Sequence, residues 1–398
     1  MTTHLSFDEL LAPRTTSEFF RDYWQKRSLH TPSSDAIRSL VGLADIDFLA
    51  ASLPTPDRNW IRVVKAGSGL AEKSFCTDEG FVSLPKLYAA YRAGYTVQLS
   101  KMHKRWASVG RLCRESEKAF TAAAVPLAHR IGSHLYLTPA HSVGLEPHYD
   151  SHDVIVVQVQ GVKRWKVYGT LEEFPLNMQL GDVPRDELPP LEHDIQLQAG
   201  EILYIPRGVF HEALAEDTHS VHITLDIFPY TWTDLLYRIT SSISDFREAL
   251  PVGSWADGGG ATEVLRDGLA KRVDLLKDQG GLDEISVDML EEFLGNIDTL
   301  PSSGFEEMHR LPEVSLNTVV SRRPGAFPCV IDGNGDGLQL RFPGSGFKGP
   351  QVLASVFEQL SAQERLTVSD LPDFLAADSK VEIAKELIRE GFLEIVAD

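Results

Sequence analysis

Between residues 134 and 227 the chain consists of short β-branched or alternating apolar runs, and this pattern constrains the fold more than any other feature. Pro, Gly, Asp and Ser separate the runs at short intervals, which is typical of an antiparallel all-β barrel or jelly roll. A ligand of such a fold binds in the mouth of the barrel, where strand ends meet. The predicted strands cover residues 135–137, 154–160, 164–168, 195–197, 202–205 and 221–227.

Helical patterns flank this β-rich region. Thr15 and Glu18 match a capping box, which predicts a helix at the start of the chain. After residue 229, helical periodicity returns in three stretches. These stretches are residues 232–250, 261–276 and 283–300, with a glycine-rich loop over residues 253–260 between the first two.

The predicted architecture is therefore α+β, in three parts. Residues 1–230 form the β-rich domain with its N-terminal helices. Residues 231–312 form a helical region, which is either a dimerisation unit or simply a helical lobe. Residues 313–398 contain a predicted hairpin, two helices and a final helix–turn–strand pattern that resembles a winged-helix module.

Composition limits the partners of this chain of 398 residues. Its formal net charge of −19 repels nucleic acid and anionic membranes and attracts basic partners. No apolar run approaches the ~18 residues that span a bilayer. The first residues lack a basic segment followed by an apolar one, and Cys76, Cys113 and Cys329 are far apart. We therefore expect a cytoplasmic protein with reduced thiols, no membrane contact and no direct DNA binding.

Three residues have the pattern of a metal site. His148 and Asp150 are two positions apart, so on a strand both side chains point to one face. His211 follows a Pro–Arg–Gly turn later in the chain. Two imidazoles and one carboxylate hold one side of a non-haem Fe(II) ion and leave positions for cosubstrate and dioxygen. His219 and His222 compete with His211 for the third position.

A cation on a predicted strand points to an anionic cosubstrate. Lys163 lies between apolar and aromatic neighbours, and a lysine inside a barrel is unfavourable unless it meets an anion such as a dicarboxylate. The alternative is that Lys163 faces solvent and Arg164 points inward. Spacing alone does not decide between them. Tyr136, on an earlier strand, could donate its hydroxyl to the same carboxylate.

Several of these motifs occur together in one known family. Residues 144–150, 157–168 and 204–208 before His211, with the N-terminal residues 19–27, resemble the JmjC-type ribosomal oxygenases. These are Fe(II)- and 2-oxoglutarate-dependent protein hydroxylases with a double-stranded β-helix, the JmjC or cupin jelly roll. The resemblance extends to the helical region, which mediates dimerisation in the family, and to the winged-helix tail.

The resemblance implies a role for each matching position. It makes His148, Asp150 and His211 the iron ligands, and it favours Lys163 over Arg164 as partner of the distal 2-oxoglutarate carboxylate. The implied cosubstrate-binding residues are Lys163, Tyr136, His134 and Thr224. His134 stands where the family often has asparagine, and Asp226 stands where serine is usual.

The sequence therefore predicts a 2-oxoglutarate-dependent dioxygenase that hydroxylates a protein side chain, an arginine or histidine of a basic ribosomal protein. Residues 171–201 are rich in Asp and Glu with Arg185 as their single cation, which suits either a basic substrate or a solvated loop. A peptide natural product is an alternative substrate. A non-catalytic metal-binding cupin, acting as a sensor or binding protein, is the alternative function. A winged-helix transcription factor is disfavoured because the last helix is rich in Glu.

Overall fold

The computed structural model describes residues 5–32, 34–52, 60–176, 184–251, 259–277, 282–300, 304–332 and 337–396. The helices are α1 Phe7–Leu11, α2 Thr16–Asp22, α3 Asp35–Arg38, α4 Leu43–Ala51, α5 Leu84–Arg92, α6 Met102–Arg105, α7 Ala107–Ala122, α8 Trp232–Ser242, α9 Ser244–Arg247, α10 Gly259–Lys277, α11 Leu282–Gly295, α12 Gly304–Arg310, α13 Ala354–Ala362 and α14 Ala377–Arg389. The strands are β1 Leu29–Thr31, β2 Ile61–Lys65, β3 Ser68–Gly69, β4 Thr96–Ser100, β5 Gly132–Thr138, β6 Ser142–Val143, β7 Asp153–Thr170, β8 Leu191–Gln198, β9 Ile202–Ile205, β10 Val209–Ala215, β11 Ser220–Ile227, β12 Val319–Arg322, β13 Cys329–Asp332, β14 Leu338–Phe342, β15 Ser345–Gly349, β16 Arg365–Thr367 and β17 Leu393–Ile395.

One long strand, β7, joins two layers of antiparallel sheet. Its first half pairs with β9 and β11, and its second half pairs with β8 and β10. The larger layer has the order β1-β9-β7-β11-β5-β4-β2-β3, and β6 extends the smaller layer next to β10. The predicted antiparallel β architecture is therefore confirmed, and the space between the two layers is the candidate site.

Glycine is required where β7 passes from one layer to the other. The sequence pattern predicts separate strands over residues 154–160 and 164–168, but the structure has one continuous strand. Gly161 lies between the two halves with a φ of +66°, and a Cβ there would lie 1.8 Å from the carbonyl oxygen of His219. Only glycine fits a backbone that approaches so closely in this conformation.

The main hydrophobic core lies on the outer side of the larger layer. The predicted capping box is confirmed, with Thr15 as N-cap of α2, and the helix buries Phe19. The Phe19 ring contacts Tyr204 of β9 edge-on, with 5.0 Å between ring centroids. Helix α7, which the sequence analysis did not predict, adds Phe120 to this aromatic cluster.

The helical segments after β11 agree with prediction in position and differ in length. The stretch predicted over residues 232–250 is two helices, α8 and α9, because Ile243 between them is extended. Helices α10 and α11 match the other two stretches. Most of the glycine-rich loop, residues 252–258, lies outside the described residues.

The C-terminal residues form their own apolar core from α13, α14 and two small sheets. These sheets have the orders β16-β12-β17 and β13-β14-β15. The predicted hairpin corresponds to β13 and β14, which pair antiparallel. Arg114 of α7 connects the larger and C-terminal cores. Its side chain pairs with Glu117 at 2.9 Å and donates hydrogen bonds to the carbonyls of Gly325 and Asp298.

Candidate active site

His148 and His211 are held beside each other by backbone pairing. Each residue donates its backbone N–H to the carbonyl of the other, at 3.1 and 2.8 Å, as an isolated antiparallel bridge. The prediction that residues 148–150 lie on a regular strand is wrong. Pro147 has no N–H to donate, and pairing in this segment is limited to that bridge. His211 lies near the start of β10, as expected of a turn that leads into a strand.

Asp150 lies in the segment that leads from this bridge to β7. Its carbonyl accepts a hydrogen bond from the Gly208 N–H at 2.9 Å. Gly208 has a φ of +83°, and a Cβ there would lie 2.4 Å from the carbonyl oxygen of Glu172. The turn before His211 therefore needs glycine for its φ and for its close approach to Glu172, and its N–H connects the turn to the Asp150 segment.

The three side chains converge on one point. The Nε2 atoms of His148 and His211 lie 3.9 and 3.6 Å from different carboxylate oxygens of Asp150. One potential ligand atom from each of the three lies within 4.8 Å of the others. Among the described residues this is the one such His/Cys/Asp/Glu group.

The hydrogen bonds of the two imidazoles suit a metal. The Nδ1 atoms of His148 and His211 lie 2.7 and 3.0 Å from the carbonyl oxygens of Glu146 and Val209. A carbonyl accepts only from N–H, so each Nδ1 carries the proton and each Nε2 presents a lone pair towards Asp150. Burial, and then His148, lower the pKa of His211, which favours its neutral form. The donor set therefore fits an ion that accepts two imidazoles and one carboxylate, such as Fe(II).

Lys163 is buried inside the same cavity, which has a volume of about 760 Å³. Among the described residues its one hydrogen-bond partner is Thr138, with 3.3 Å between Nζ and Oγ1. Burial lowers the pKa of Lys163 to about 7. Arg164 lies on the outside, where Asp194 and Glu216 pair with its guanidinium at 2.7 and 2.9 Å.

Aromatic and imidazole rings surround the ammonium group of Lys163. The Trp165 ring centroid lies 5.8 Å from Nζ. Tyr136 stacks on His222 with 4.8 Å between centroids, and burial keeps the pKa of the Tyr136 hydroxyl well above its usual value. The hydroxyl of Tyr136 therefore stays protonated and can donate. This end of the cavity presents a cation and donors, which suits an anion.

The cavity lining includes the other residues that the sequence analysis selected as cosubstrate-binding. Thr224 is buried on β11, and its side chain interacts with the hydroxyl of Tyr136. His134 pairs across β5 and β11 with Thr224. Its imidazole Nε2 lies 3.1 Å from an oxygen of Asp226, so His134 contacts an acid rather than Lys163.

Thr138 and His152 were not selected as site residues. Thr138 follows Tyr136 by two positions on β5, and the two-residue period of a strand could have identified it. His152 also lines the cavity. It follows Asp150 by two positions, and this spacing could have identified it. Gln98 of β4 approaches Tyr136 at 3.3 Å, and no local signal in the sequence predicts the pairing of β4 with β5.

Fold and site together resemble those of JmjC-type, cupin-like proteins. Residues 111–235 match the JmjC domain family. The predicted resemblance to ribosomal oxygenases is also confirmed. Over 342 residues the chain is 28% identical to ribosomal oxygenase 2 of Rattus norvegicus, covering 80% of this chain and 67% of the relative.

A second relative and a solved structure are also similar to this chain. The chain is 30% identical over 223 residues to the bifunctional lysine-specific demethylase and histidyl-hydroxylase NO66 of Drosophila persimilis, covering 55% of this chain and 31% of the relative. A solved structure of YcfD, a ribosomal oxygenase from Escherichia coli in complex with cobalt and 2-oxoglutarate, superposes with a TM-score of 0.54 at 16% identity. It covers 97% of this chain and 99% of YcfD, which shows a common fold.

The matches cover the relatives unequally. This chain spans under a third of the length of the NO66 proteins of Drosophila persimilis and Drosophila pseudoobscura pseudoobscura. Within the described residues, none of the helices is both long enough and apolar enough to cross a membrane.

Proposed function

We propose that this protein is an Fe(II)- and 2-oxoglutarate-dependent oxygenase that hydroxylates a protein side chain. The observation that carries the proposal is the combination, in one cavity, of the His148–Asp150–His211 face and the buried cation Lys163. A metal-binding protein without turnover would have no use for a buried ammonium group that lacks a carboxylate partner among the described residues.

The residues of the cavity have separate proposed roles. His148, Asp150 and His211 hold the iron, and Lys163 binds the distal carboxylate of 2-oxoglutarate with the hydroxyls of Tyr136 and Thr138 beside it. When bound, Fe(II) and 2-oxoglutarate supply the activation of dioxygen, so that one oxygen atom enters a substrate C–H bond and the other enters succinate as CO₂ is released. The apolar wall of Trp165 excludes water from this end.

A basic ribosomal protein is the proposed substrate, with arginine or histidine as the modified residue. The net charge of −19 favours a basic partner. Several relatives are named as ribosomal oxygenases or histidyl-hydroxylases, which supports the same class. One acid of the segment 171–201, Asp194, is already paired with Arg164 at 2.7 Å. The cation of the segment, Arg185, pairs at 3.0 Å with Glu212, which lies outside it. Asp182 of this segment lies outside the described residues.

Mass spectrometry of ribosomal proteins tests this function. Ribosomes are incubated with the Fe(II)-loaded protein, 2-oxoglutarate and air, and each ribosomal protein is examined for one added oxygen atom. We expect the addition with wild type and not with His148→Ala. Succinate formation without any modified ribosomal protein would favour another substrate, and a peptide natural product would be the next class to test.

The helical region is proposed to form a homodimer interface. Trp232, Leu236 and Tyr237 of α8 are exposed, the first by 80% and the third by 73%. Leu269 and Val273, one turn apart on α10, are also exposed. Large exposed apolar side chains are typical of an association surface. Residues 231–312 would then be the dimerisation region, between the catalytic residues 1–230 and the winged-helix-like residues 313–398.

Light scattering tests the interface. Leu236→Glu and Leu269→Glu should convert the dimer to a monomer, because each buries a charge in the proposed interface. Phe48→Glu is the matched control, since Phe48 is 69% exposed on α4, outside the proposed dimerisation region. A monomeric wild type, or a control as disruptive as the α8 and α10 variants, would contradict the proposal.

The winged-helix-like part is proposed to act in packing or protein contact and not in DNA binding. A cytoplasmic location is proposed to match a ribosomal substrate.

A further inference from the structure

A second charged group is buried in the cavity, at the opposite end from Lys163. Asp226 lies on β11 and is 6% exposed. His222, Thr224 and Asp226 alternate along this strand and all line the cavity. His222 interacts electrostatically with Lys163, and Asp226 lies four residues further on, which is about 13 Å at the rise of a β-strand. Asp226 is therefore distant from the group that would bind 2-oxoglutarate.

The register of the sheet places Asp226 beside the segment that carries the metal face. Asp226 pairs with Val154, at the start of β7 and immediately after the loop that contains Asp150 and His152. The His152 Nε2 lies 3.7 Å from one oxygen of Asp226, and the His134 Nε2 lies 3.1 Å from the other. A group bound by Asp226 would therefore lie next to the His148–Asp150–His211 face.

No permanent cation neutralises Asp226 among the residues that the structure describes. Arg130 also lines this part of the cavity, but it forms an ion pair with Asp298. Burial would raise the pKa of Asp226, yet its contacts with His134 and His152 outweigh burial and hold the pKa well below the usual range. The carboxylate is therefore ionised, buried and matched only by two imidazoles, an arrangement that a cationic ligand would stabilise.

We propose that Asp226, flanked by His134 and His152, is the subsite for the guanidinium group of the arginine side chain on which the enzyme acts. This inference rests on the function proposed above and narrows its substrate from arginine or histidine to arginine. A carboxylate has about four acceptor sites, so Asp226 can accept further donors in addition to its two imidazole neighbours.

The surroundings of Asp226 suit a guanidinium better than the other cationic side chains. A guanidinium presents parallel N–H donors that match a carboxylate, whereas a neutral imidazole presents one donor and a lysine ammonium is not planar. Phe228 forms an aromatic wall at this end, with His152 stacked on its ring at 4.6 Å and His129 edge-on at 5.7 Å. Planar guanidinium groups stack favourably on such rings.

Binding of small side-chain probes tests this subsite without depending on turnover. Nα-acetyl-arginine amide, its uncharged isostere Nα-acetyl-citrulline amide, and the matching lysine and histidine compounds are titrated by NMR into the full-length protein. The protein is loaded with Zn(II) and 2-oxoglutarate. We expect the arginine probe to bind wild type about tenfold or more tightly than the citrulline probe, the difference made by a charge-assisted contact.

Two variants assign this preference to Asp226. In Asp226→Asn the arginine and citrulline probes should bind within about twofold of each other, because the charge is lost. Asp217→Asn is the matched control, since Asp217 is an exposed aspartate in the turn before β11, and it should keep the wild-type preference. Thermal unfolding and metal content establish that each variant is folded.

The inference is overturned if wild type binds arginine and citrulline equally, if histidine or lysine binds most tightly, or if Asp226→Asn keeps the preference. The comparison of the four probes on wild type tests the inference even if Asp226→Asn does not fold. Succinate formation is measured in air on a second portion of each protein, loaded with Fe(II) instead of Zn(II), because Zn(II) has no redox chemistry. Turnover without an arginine preference would refute this subsite alone, whereas a wild type that never consumes 2-oxoglutarate would refute the proposed function.

Discussion

The two ends of the cavity contain buried charges of opposite sign, and the structure treats them differently. Lys163 has a threonine hydroxyl as its hydrogen-bond partner among the described residues, and burial lowers its pKa to about 7. Asp226 has two histidine neighbours, and its pKa is held well below the usual range despite burial. The amine of Lys163 is therefore expected to gain a proton when an anion binds near it. The carboxylate of Asp226, in contrast, is already ionised before any ligand binds.

The metal face between the two ends should show the largest effect of a substitution. His148→Ala removes one of the three proposed metal ligands, so we expect metal affinity and 2-oxoglutarate turnover to fall by about a hundredfold or more. Metal content after dialysis measures the first effect. His193→Ala is a suitable control because His193 is an exposed histidine of β8. Full metal retention by His148→Ala would contradict the assignment of this face.

The next largest effect should separate two adjacent cations on β7. In Lys163→Ala the dissociation constant for 2-oxoglutarate should rise about ten- to a hundredfold, because a charge-assisted contact in a buried site is lost. Arg164→Ala is the matched control, since Arg164 pairs with Asp194 and Glu216 at the surface. Calorimetry on the metal-loaded protein measures both. Equal effects of the two substitutions would contradict the proposal that Lys163 binds 2-oxoglutarate.

The affinity for 2-oxoglutarate should depend on pH because the pKa of Lys163 is lowered, and this dependence would distinguish the lysine end of the cavity from the aspartate end. Burial lowers the pKa of Lys163 to about 7 in the free protein, and a bound dicarboxylate favours the charged form. Above pH 7, binding must therefore take up a proton, so affinity should fall by up to about tenfold per pH unit. Below pH 7 the lysine is already charged, and this group should add no pH dependence.

Lys163→Met is the control for this titration. It should bind weakly, and the affinity that remains should lack the fall above pH 7. A wild type with the same affinity between pH 7 and pH 9 would contradict a lysine of lowered pKa in the binding site. A fall that persists in Lys163→Met would assign the titration to another group.

The smallest effect should come from the hydroxyl beside Lys163. Thr138→Val keeps the size of the side chain and removes the group that lies 3.3 Å from Nζ. We expect the dissociation constant for 2-oxoglutarate to rise about two- to tenfold, the range of a single neutral hydrogen bond. Thr218→Val, at an exposed threonine, is the control. An effect as large as that of Lys163→Ala would mean that Thr138 positions the lysine.

The sequence predicted the parts of the site that depend on short-range pattern. His148 and Asp150 are two residues apart, and His211 follows a turn that requires Gly208, so both signals are local. The choice between Lys163 and Arg164 was not local. It depends on Gly161, where β7 bends between the two sheets and sets which face of its second half lines the cavity.

The aspartate end could not be predicted from spacing, because it depends on long-range register. Asp226 pairs with Gly132 and Thr224 pairs with His134, so two strands distant in sequence bring His134 to the carboxylate. Both residues depart from the family pattern. Their mutual contact, and their distance from Lys163, become visible only in the folded sheet.

Succinate formation is the most direct test of the central claim that this cavity is an Fe(II)- and 2-oxoglutarate-dependent active site. The protein is reconstituted with Fe(II) without oxygen and then exposed to air with 2-oxoglutarate and cell extract. We predict succinate from wild type, none above background from His148→Ala, and a raised 2-oxoglutarate requirement in Lys163→Ala with Arg164→Ala unchanged. A wild type that binds iron tightly but never converts 2-oxoglutarate would contradict the account and favour a non-catalytic metal-binding protein.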